Sequence, residues 1–229
     1  MFNDLQTPPT TSHLAWLLPY QKAQEIHDRL YSHDVACMAP VDRSTFLVML
    51  LAKYISDIQA NMFTSNNGIV TGKRVTDILI TTTSLLTAMG VSIQERLEKM
   101  NVPAHVNGEQ ALMQWLDANY VFDMGPSSAS VSDVYERHLQ FSVAMPVHLY
   151  KALDAVENMK LMQVAGNARS ILVNSAMHLW IQSVVCHARH RHTSFVRDIT
   201  ERMHEIEMRS IHHKSFGLFP NYSMEGLYR

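Results

Sequence analysis

Residues 140–181 carry the strongest pattern in the chain and read QFSVAMPVHLYKALDAVENMKLMQVAGNARSILVNSAMHLWI. Over 140–145, polar or small residues alternate with apolar ones, which is the period of a half-buried strand, and Pro146 follows directly. Apolar residues then recur at helical spacing and predict helices over 147–160 and 168–186. Because a single strand leaves its hydrogen-bonding edge unpaired, we expect it to pair with the strand of a second copy.

This order of strand, proline, helix, turn and helix resembles the ribbon-helix-helix fold of the Arc and CopG class of bacterial and phage repressors. In that family, two chains pair their strands antiparallel and lay the ribbon in the major groove of DNA. The resemblance implies that alternate strand residues face the dimer core, and these are Phe141, Val143 and Met145. The residues between them would face the bases, and these are Gln140, Ser142 and Ala144.

The resemblance also implies a phosphate contact at the start of the second helix, where backbone N–H groups and the helix dipole favour an anion. The contact falls on Asn167, Ala168, Arg169 and Ser170. The strand departs from the family's pattern, because its outward positions include no Arg or Lys. A dimeric adaptor that does not bind DNA is therefore an alternative to a DNA-binding protein.

Outside this segment, the sequence predicts a mainly α protein. Eight glycines and eight prolines among 229 residues are few for a β-sandwich or barrel. Helical spacing, N-capping residues and a glycine at position 90 predict helices over 14–33, 45–62, 73–89, 92–100 and 107–119. The expected divisions are a flexible arm over 1–12, a helical domain over 13–122, a linker over 123–137, the ribbon-helix-helix over 138–186, and a basic histidine-rich helix with an aromatic tail over 187–229.

Composition and charge predict a cytoplasmic protein. The two cysteines lack the CxxC spacing, and no apolar stretch has the length of a signal peptide core or of a membrane span, which needs about 18 residues. The net charge is −2, but residues 138–229 carry 10 Lys and Arg against 7 Asp and Glu. Residues 1–137 carry 9 against 14, so the C-terminal part is the basic one.

Two consecutive segments within residues 45–101, AKYISDIQAN and KRVTDILITTTSLLTAMGVSIQERLEKMN, resemble the all-α nucleotide pyrophosphohydrolases of the MazG class. The chemistry of that family needs about four carboxylates that converge on Mg²⁺. This chain keeps Asp57 and Asp77, but it has Lys53 and Arg74 where other acidic residues would fall. The resemblance therefore implies that hydrolysis is lost. An unrelated helical bundle with two surface aspartates is the alternative.

The stretch CHARHRH over 186–192 contains the residue types that zinc prefers. Its neighbouring positions face different sides of a helix, and no second ligand pair stands at the spacing of a zinc finger. We therefore expect no metal site. Residues 193–213 predict an amphipathic helix, and the apolar segment from Phe216 to Tyr222 is expected to pack locally or to dock on a partner.

The resemblance to the ribbon-helix-helix repressors implies a homodimeric, sequence-specific DNA-binding transcription regulator of bacterial, plasmid or phage origin, either a repressor or an activator. Its expected partners are double-stranded DNA, a second copy, and a protein bound by the N-terminal domain or the aromatic tail, with no membrane contact. We expect no catalytic residue and no cofactor, since the sequence has no glycine-rich phosphate loop and no GxSxG or HExxH motif. The alternatives are a nucleotide pyrophosphohydrolase-like enzyme or pseudo-enzyme and the dimeric adaptor.

Overall fold

The computed structural model describes residues 12–61, 67–120, 134–161, 165–190 and 194–209, without the side chains of 67–71, 134–142, 165 and 190. These ranges contain helices, turns and short loops, and no β-strand. The helices are α1 (Leu17–Tyr31), α2 (His33–Ala36), α3 (Pro40–Asn61), α4 (Asn67–Ala88), α5 (Ile93–Lys99), α6 (Glu109–Asn119), α7 (Val134–Lys160), α8 (Ala165–His190) and α9 (Phe195–Arg209). The prediction of a mainly α protein is therefore confirmed.

Four long helices, α3, α4, α8 and α7, form a bundle in which each helix packs on the next and α7 packs back on α3. Neighbouring helices run antiparallel. Ser44 near the start of α3 donates to the sulfur of Met89, just past the end of α4, at 3.2 Å. Arg169 near the start of α8 donates to the carbonyl oxygen of the same residue at 2.5 Å. One apolar core runs through the bundle and extends into the helices around it.

Three of the remaining helices pack on α4 or α8, while α2 and α5 pack on α1. Helices α1 and α9 pack on α4, while α6 packs on α8. Gly90, with φ of 66°, follows the end of α4, and the Ser92 hydroxyl caps α5 by accepting from the backbone N–H of Glu95 at 3.3 Å. Taken singly, none of the described helices has the length and apolar composition needed to cross a membrane; Gly72–Ala88 and Ile93–Lys99 pass that test only as a pair, bent by 90°.

The predicted strand over 140–145 is wrong, and so is the ribbon-helix-helix fold expected over 138–186. Helix α7 runs without a break through both the proposed strand and Pro146. Its buried residues recur every three or four positions, which is the helical period, and they are Ala144, Met145, His148, Ala152, Ala155 and Val156. The alternation over 140–145 is only six residues long, whereas the helical stripe continues for a further three turns and buries far more apolar surface.

The side-chain assignments made for the strand change with it. Val143, assigned to the dimer core, is 51% exposed, whereas Ala144, assigned to the bases, is 2% exposed. Met145 is fully buried, in the core of its own chain. The side chains of Gln140, Phe141 and Ser142 lie outside the described part of the structure.

Pro146 provides a direct test of the helix. A proline inside a helix removes one hydrogen bond and crowds the preceding turn, which destabilises the folded state by roughly 3 kcal/mol. Replacing it also has an opposite effect, because the unfolded chain gains conformational entropy, and this lowers stability by about 1 kcal/mol. We therefore expect Pro146→Ala to raise the free energy of unfolding by about 1–2 kcal/mol in urea titrations.

Pro19→Ala is the matched control, because Pro19 lies in the first turn of α1, where backbone N–H groups have no helical partner. We expect Pro19→Ala to leave stability unchanged or slightly lower. If Pro146→Ala destabilised the protein as much as Pro19→Ala or more, the continuous helix would be contradicted.

Candidate functional site

Asp57 and Asp77, the two carboxylates expected from the resemblance to the pyrophosphohydrolases, lie close together in the structure. Arg74 bridges them, with Nη2 2.7 Å from Oδ2 of Asp57 and Nη1 2.9 Å from Oδ2 of Asp77. Asp57 comes from the last turns of α3, while Arg74 and Asp77 lie one turn apart on α4. Arg74, one of the two basic residues at positions where the family has acidic ones, is thus in direct contact with both aspartates, while the other, Lys53, is exposed on α3.

A second arginine, Arg202 on α9, also contacts the carboxylate of Asp77. Arg202 Nε lies 2.7 Å from Oδ1 of Asp77, and Arg202 Nη1 lies 2.6 Å from Oε2 of Glu205. Lys73 Nζ is 3.7 Å from the other oxygen of Glu205. We call Asp57, Lys73, Arg74, Asp77, Arg202 and Glu205 the Asp77 clasp. It joins α3, α4 and α9 and contains three basic and three acidic side chains.

Hydrogen bonds favour the charged forms of two members of the clasp, Arg202 and Glu205. The hydrogen bond to Asp77 raises the pKa of the Arg202 guanidinium, and the hydrogen bond from Arg202 lowers the pKa of Glu205. The guanidinium carbon of Arg74 lies 5.3 Å from the ring centroid of Tyr54, and burial raises the pKa of that phenol. Asp77 is buried, and each of its two oxygens accepts a hydrogen bond from an arginine, Oδ2 from Arg74 and Oδ1 from Arg202. Both donors are permanently charged.

This arrangement is suited to holding helices together rather than to binding Mg²⁺. A magnesium ion needs free carboxylate oxygens, and the guanidinium groups occupy that space with positive charge. Among the described residues, no group of three or more His, Cys, Asp and Glu side chains is placed to hold a metal ion. Asp57, Arg74 and Asp77 were expected from the sequence, whereas Arg202 was not, because it is 125 positions from Asp77 and belongs to no local motif.

A second polar layer lies between α1 and its neighbours. Asp28 accepts from Gln24 Nε2 at 2.8 Å and from Arg43 Nη2 at 3.1 Å, and burial raises its pKa. His27 Nε2 lies 3.4 Å from the carbonyl oxygen of Met203 on α9, so this nitrogen carries the proton of the neutral ring. Burial lowers the pKa of His27 to about 4.

Two further histidine arrangements link helices. His187 Nδ1 lies 3.4 Å from Oδ2 of Asp198, and its Nε2 lies 3.5 Å from the hydroxyl of Thr76. This order of carboxylate, imidazole and hydroxyl is that of a nucleophilic triad. However, all three side chains are buried, and the Thr76 hydroxyl donates to the carbonyl oxygen of Gly72 at 3.1 Å. A substrate has no access to the hydroxyl, so the arrangement is structural.

The other histidine arrangement joins α7 to α8 beside the end of α6. The Tyr120 hydroxyl lies 2.7 Å from Nδ1 of His178. The rings of His178 and His148 stack with centroids 4.4 Å apart and planes inclined by 11°. These contacts fix the packing of the two helices that the sequence analysis assigned to a DNA-binding motif.

The residues expected to contact phosphate lie in the first turns of α8. Asn167, Arg169 and Ser170 are exposed, and Ala168 is buried. Arg169 donates to the carbonyl oxygen of Met89, one of the carbonyl groups that a helix end leaves unpaired. Its side chain therefore joins the start of α8 to the end of α4. Arg191, His192 and the side chain of His190, together with the whole segment 216–222, lie outside the described residues.

Comparison with protein-family models, with curated proteins and with solved structures finds no significant match to this chain.

His27 predicts a specific pH dependence of stability. Its pKa is about 4 in the folded protein and 6.5 in the unfolded chain, so between these values the unfolded chain binds the proton more readily. The stability contribution of a neutral, buried His27 is fully present above pH 6.5 and is lost as the pH falls to 4. We expect the wild type to lose about 3 kcal/mol more than His27→Gln across this window in urea titrations.

His33→Gln is the control, because His33 is exposed on α2. That variant should follow the wild type, and the raised pKa of Asp28 contributes to all three proteins alike. An identical pH dependence in the wild type and His27→Gln would contradict the buried neutral imidazole.

Proposed function

We propose that this chain is a non-catalytic helical adaptor, in which the acidic positions that resemble a pyrophosphohydrolase metal site stabilise the fold instead. The proposal rests on one observation: the two carboxylate oxygens of Asp77 form ion pairs with two arginines, Arg74 and Arg202. A carboxylate held on both oxygens by arginines cannot also ligate Mg²⁺ without breaking at least one buried ion pair. Mg²⁺ would have to displace an arginine from the buried carboxylate and lie beside the guanidinium that remains, where the two positive charges repel each other.

The outer surface of the bundle supports an interaction role. Phe46 and Met49 on α3, and Val143, Val147 and Tyr150 on α7, are large apolar side chains that remain well exposed. They lie on the sides of these two helices that face away from the core, and α3 and α7 pack on each other. Val143, Val147 and Tyr150 follow one another at helical spacing on α7, and contiguous apolar side chains on a protein surface are typical of contacts with other macromolecules.

DNA binding stays a prediction from the sequence, but its structural basis is weaker. It depended on a strand that is replaced by α7, and on a phosphate contact at Arg169, whose guanidinium binds the end of α4. Ala144, one of the three residues assigned to the bases, is buried in the bundle.

The adaptor proposal predicts that the purified chain releases no pyrophosphate from any nucleoside triphosphate in the presence of Mg²⁺. The same proposal predicts that millimolar Mg²⁺ leaves the melting temperature unchanged, because a ligand that binds only the folded state must raise it. A coupled pyrophosphate assay and differential scanning fluorimetry measure the two quantities.

Asp77→Asn and Asp117→Asn are the matched variants for this assay. Asp117 is paired with Arg189, as Asp77 is with Arg202, but it lies on α6, outside the clasp. Turnover that is abolished in Asp77→Asn and retained in Asp117→Asn, with both variants folded by circular dichroism, would establish an enzyme and contradict the proposal.

A further inference from the structure

Helix α7 carries a second stripe, of exposed side chains, on the side opposite its core residues. The stripe positions are separated by four, three, four, three and four residues, which is the a and d spacing of a coiled coil. All six side chains are exposed, and they are Val143, Val147, Tyr150, Asp154, Glu157 and Leu161. Leu161 continues the helix by one hydrogen bond, from its backbone N–H to the carbonyl oxygen of Glu157 at 3.0 Å.

The stripe is complementary to itself when two copies run antiparallel. Relative to the level of Ala152, Val143 and Leu161 are each nine residues away, Val147 and Glu157 five, and Tyr150 and Asp154 two. A two-fold axis at that level therefore makes three kinds of layer, each occurring twice. The layers are Val143 with the partner's Leu161, Val147 with the partner's Glu157, and Tyr150 with the partner's Asp154.

The chemistry of these layers favours the antiparallel arrangement. It buries valine against leucine at both ends and places a tyrosine hydroxyl beside a carboxylate, to which it can donate. A parallel arrangement would instead set Asp154 against Asp154 and Glu157 against Glu157, and like charges in facing positions are destabilising. Lys151 and Lys160, exposed beside the stripe, balance the two carboxylates, so this face carries no net charge that would repel a second copy.

We infer that the outer face of α7 is the surface through which two copies of this chain associate, as an antiparallel helix pair about the level of Ala152. The contact spans 19 residues from Val143 to Leu161, or about 27 Å of helix. A single helix pair is smaller than a standard interface of about 800 Å² per partner, and two of its six positions are acidic. The dimer is therefore reversible, with a dissociation constant in the micromolar range. This inference does not depend on whether the chain hydrolyses nucleotides.

The layer of Val147 and the partner's Glu157 allows the dimer to be tested with two substitutions of opposite charge at one position. Val147→Lys places a lysine opposite the partner's Glu157 twice in the dimer, whereas Val147→Glu places a second glutamate there. We expect the first variant to lower the dissociation constant about tenfold and the second to raise it about tenfold. Sedimentation equilibrium of the full chain over a range of concentrations measures all three constants, and repeating it at high salt should reduce both differences.

Ile26→Lys and Ile26→Glu are the matched controls. Ile26 and Val147 are both β-branched and both 39% exposed, but Ile26 lies on α1, which packs on α4, α5 and α9. Neither control should change the dissociation constant. A wild type that stays monomeric at several hundred micromolar overturns the inference. So do Val147 variants that shift the constant equally in one direction, or that behave like the Ile26 controls.

Discussion

The fold depends on how one buried carboxylate is neutralised. Asp77 lies on α4, the helix that contacts α1, α3, α8 and α9, within a segment buried at every position from Val75 to Leu86. An unpaired charge in such a place would cost several kcal/mol. Arg74 from the preceding turn and Arg202 from α9 satisfy both of its oxygens. The same contacts fix the position of α9 and, through Asp57, the end of α3, so helices from both halves of the chain meet at one side chain.

Local chemistry in the sequence was sufficient to place most helices. The N-capping residues and the glycine at position 90 that predicted helix bounds are present as the cap formed by Ser92 with Glu95 and as the left-handed Gly90, because each depends only on residues within four positions. The segment 140–145 misled the sequence analysis for a physical reason: six residues that alternate can also form part of a helical stripe, and Pro146 is compatible with both structures. Only the continuation of the stripe through Val156 separates the two.

Only the part of the Asp77 clasp that lies on α3 and α4 was open to prediction from the sequence. Asp57, Arg74 and Asp77 stand in one pair of neighbouring helices, and the resemblance to the pyrophosphohydrolases pointed to them, including the unfavourable arginine. Arg202 and Glu205 could not, because nothing in the amphipathic pattern of α9 shows which residue of α4 its arginine will meet. Helix α7 shows a similar limit of prediction from sequence. It carries both a buried stripe and an exposed stripe, and the exposed stripe can be identified only after the buried one is known.

The central claim is that Asp77 and Arg202 stabilise the fold as a pair, and a double-mutant cycle tests it most directly. Unfolding of the wild type, Asp77→Asn, Arg202→Gln and the double variant in urea gives their coupling free energy. We expect about 2–3 kcal/mol, independent of Mg²⁺, against less than about 0.5 kcal/mol for the exposed pair of Arg197 and Glu201. A coupling no larger than that of the exposed pair, or a wild type that Mg²⁺ stabilises through Asp77, would contradict the account.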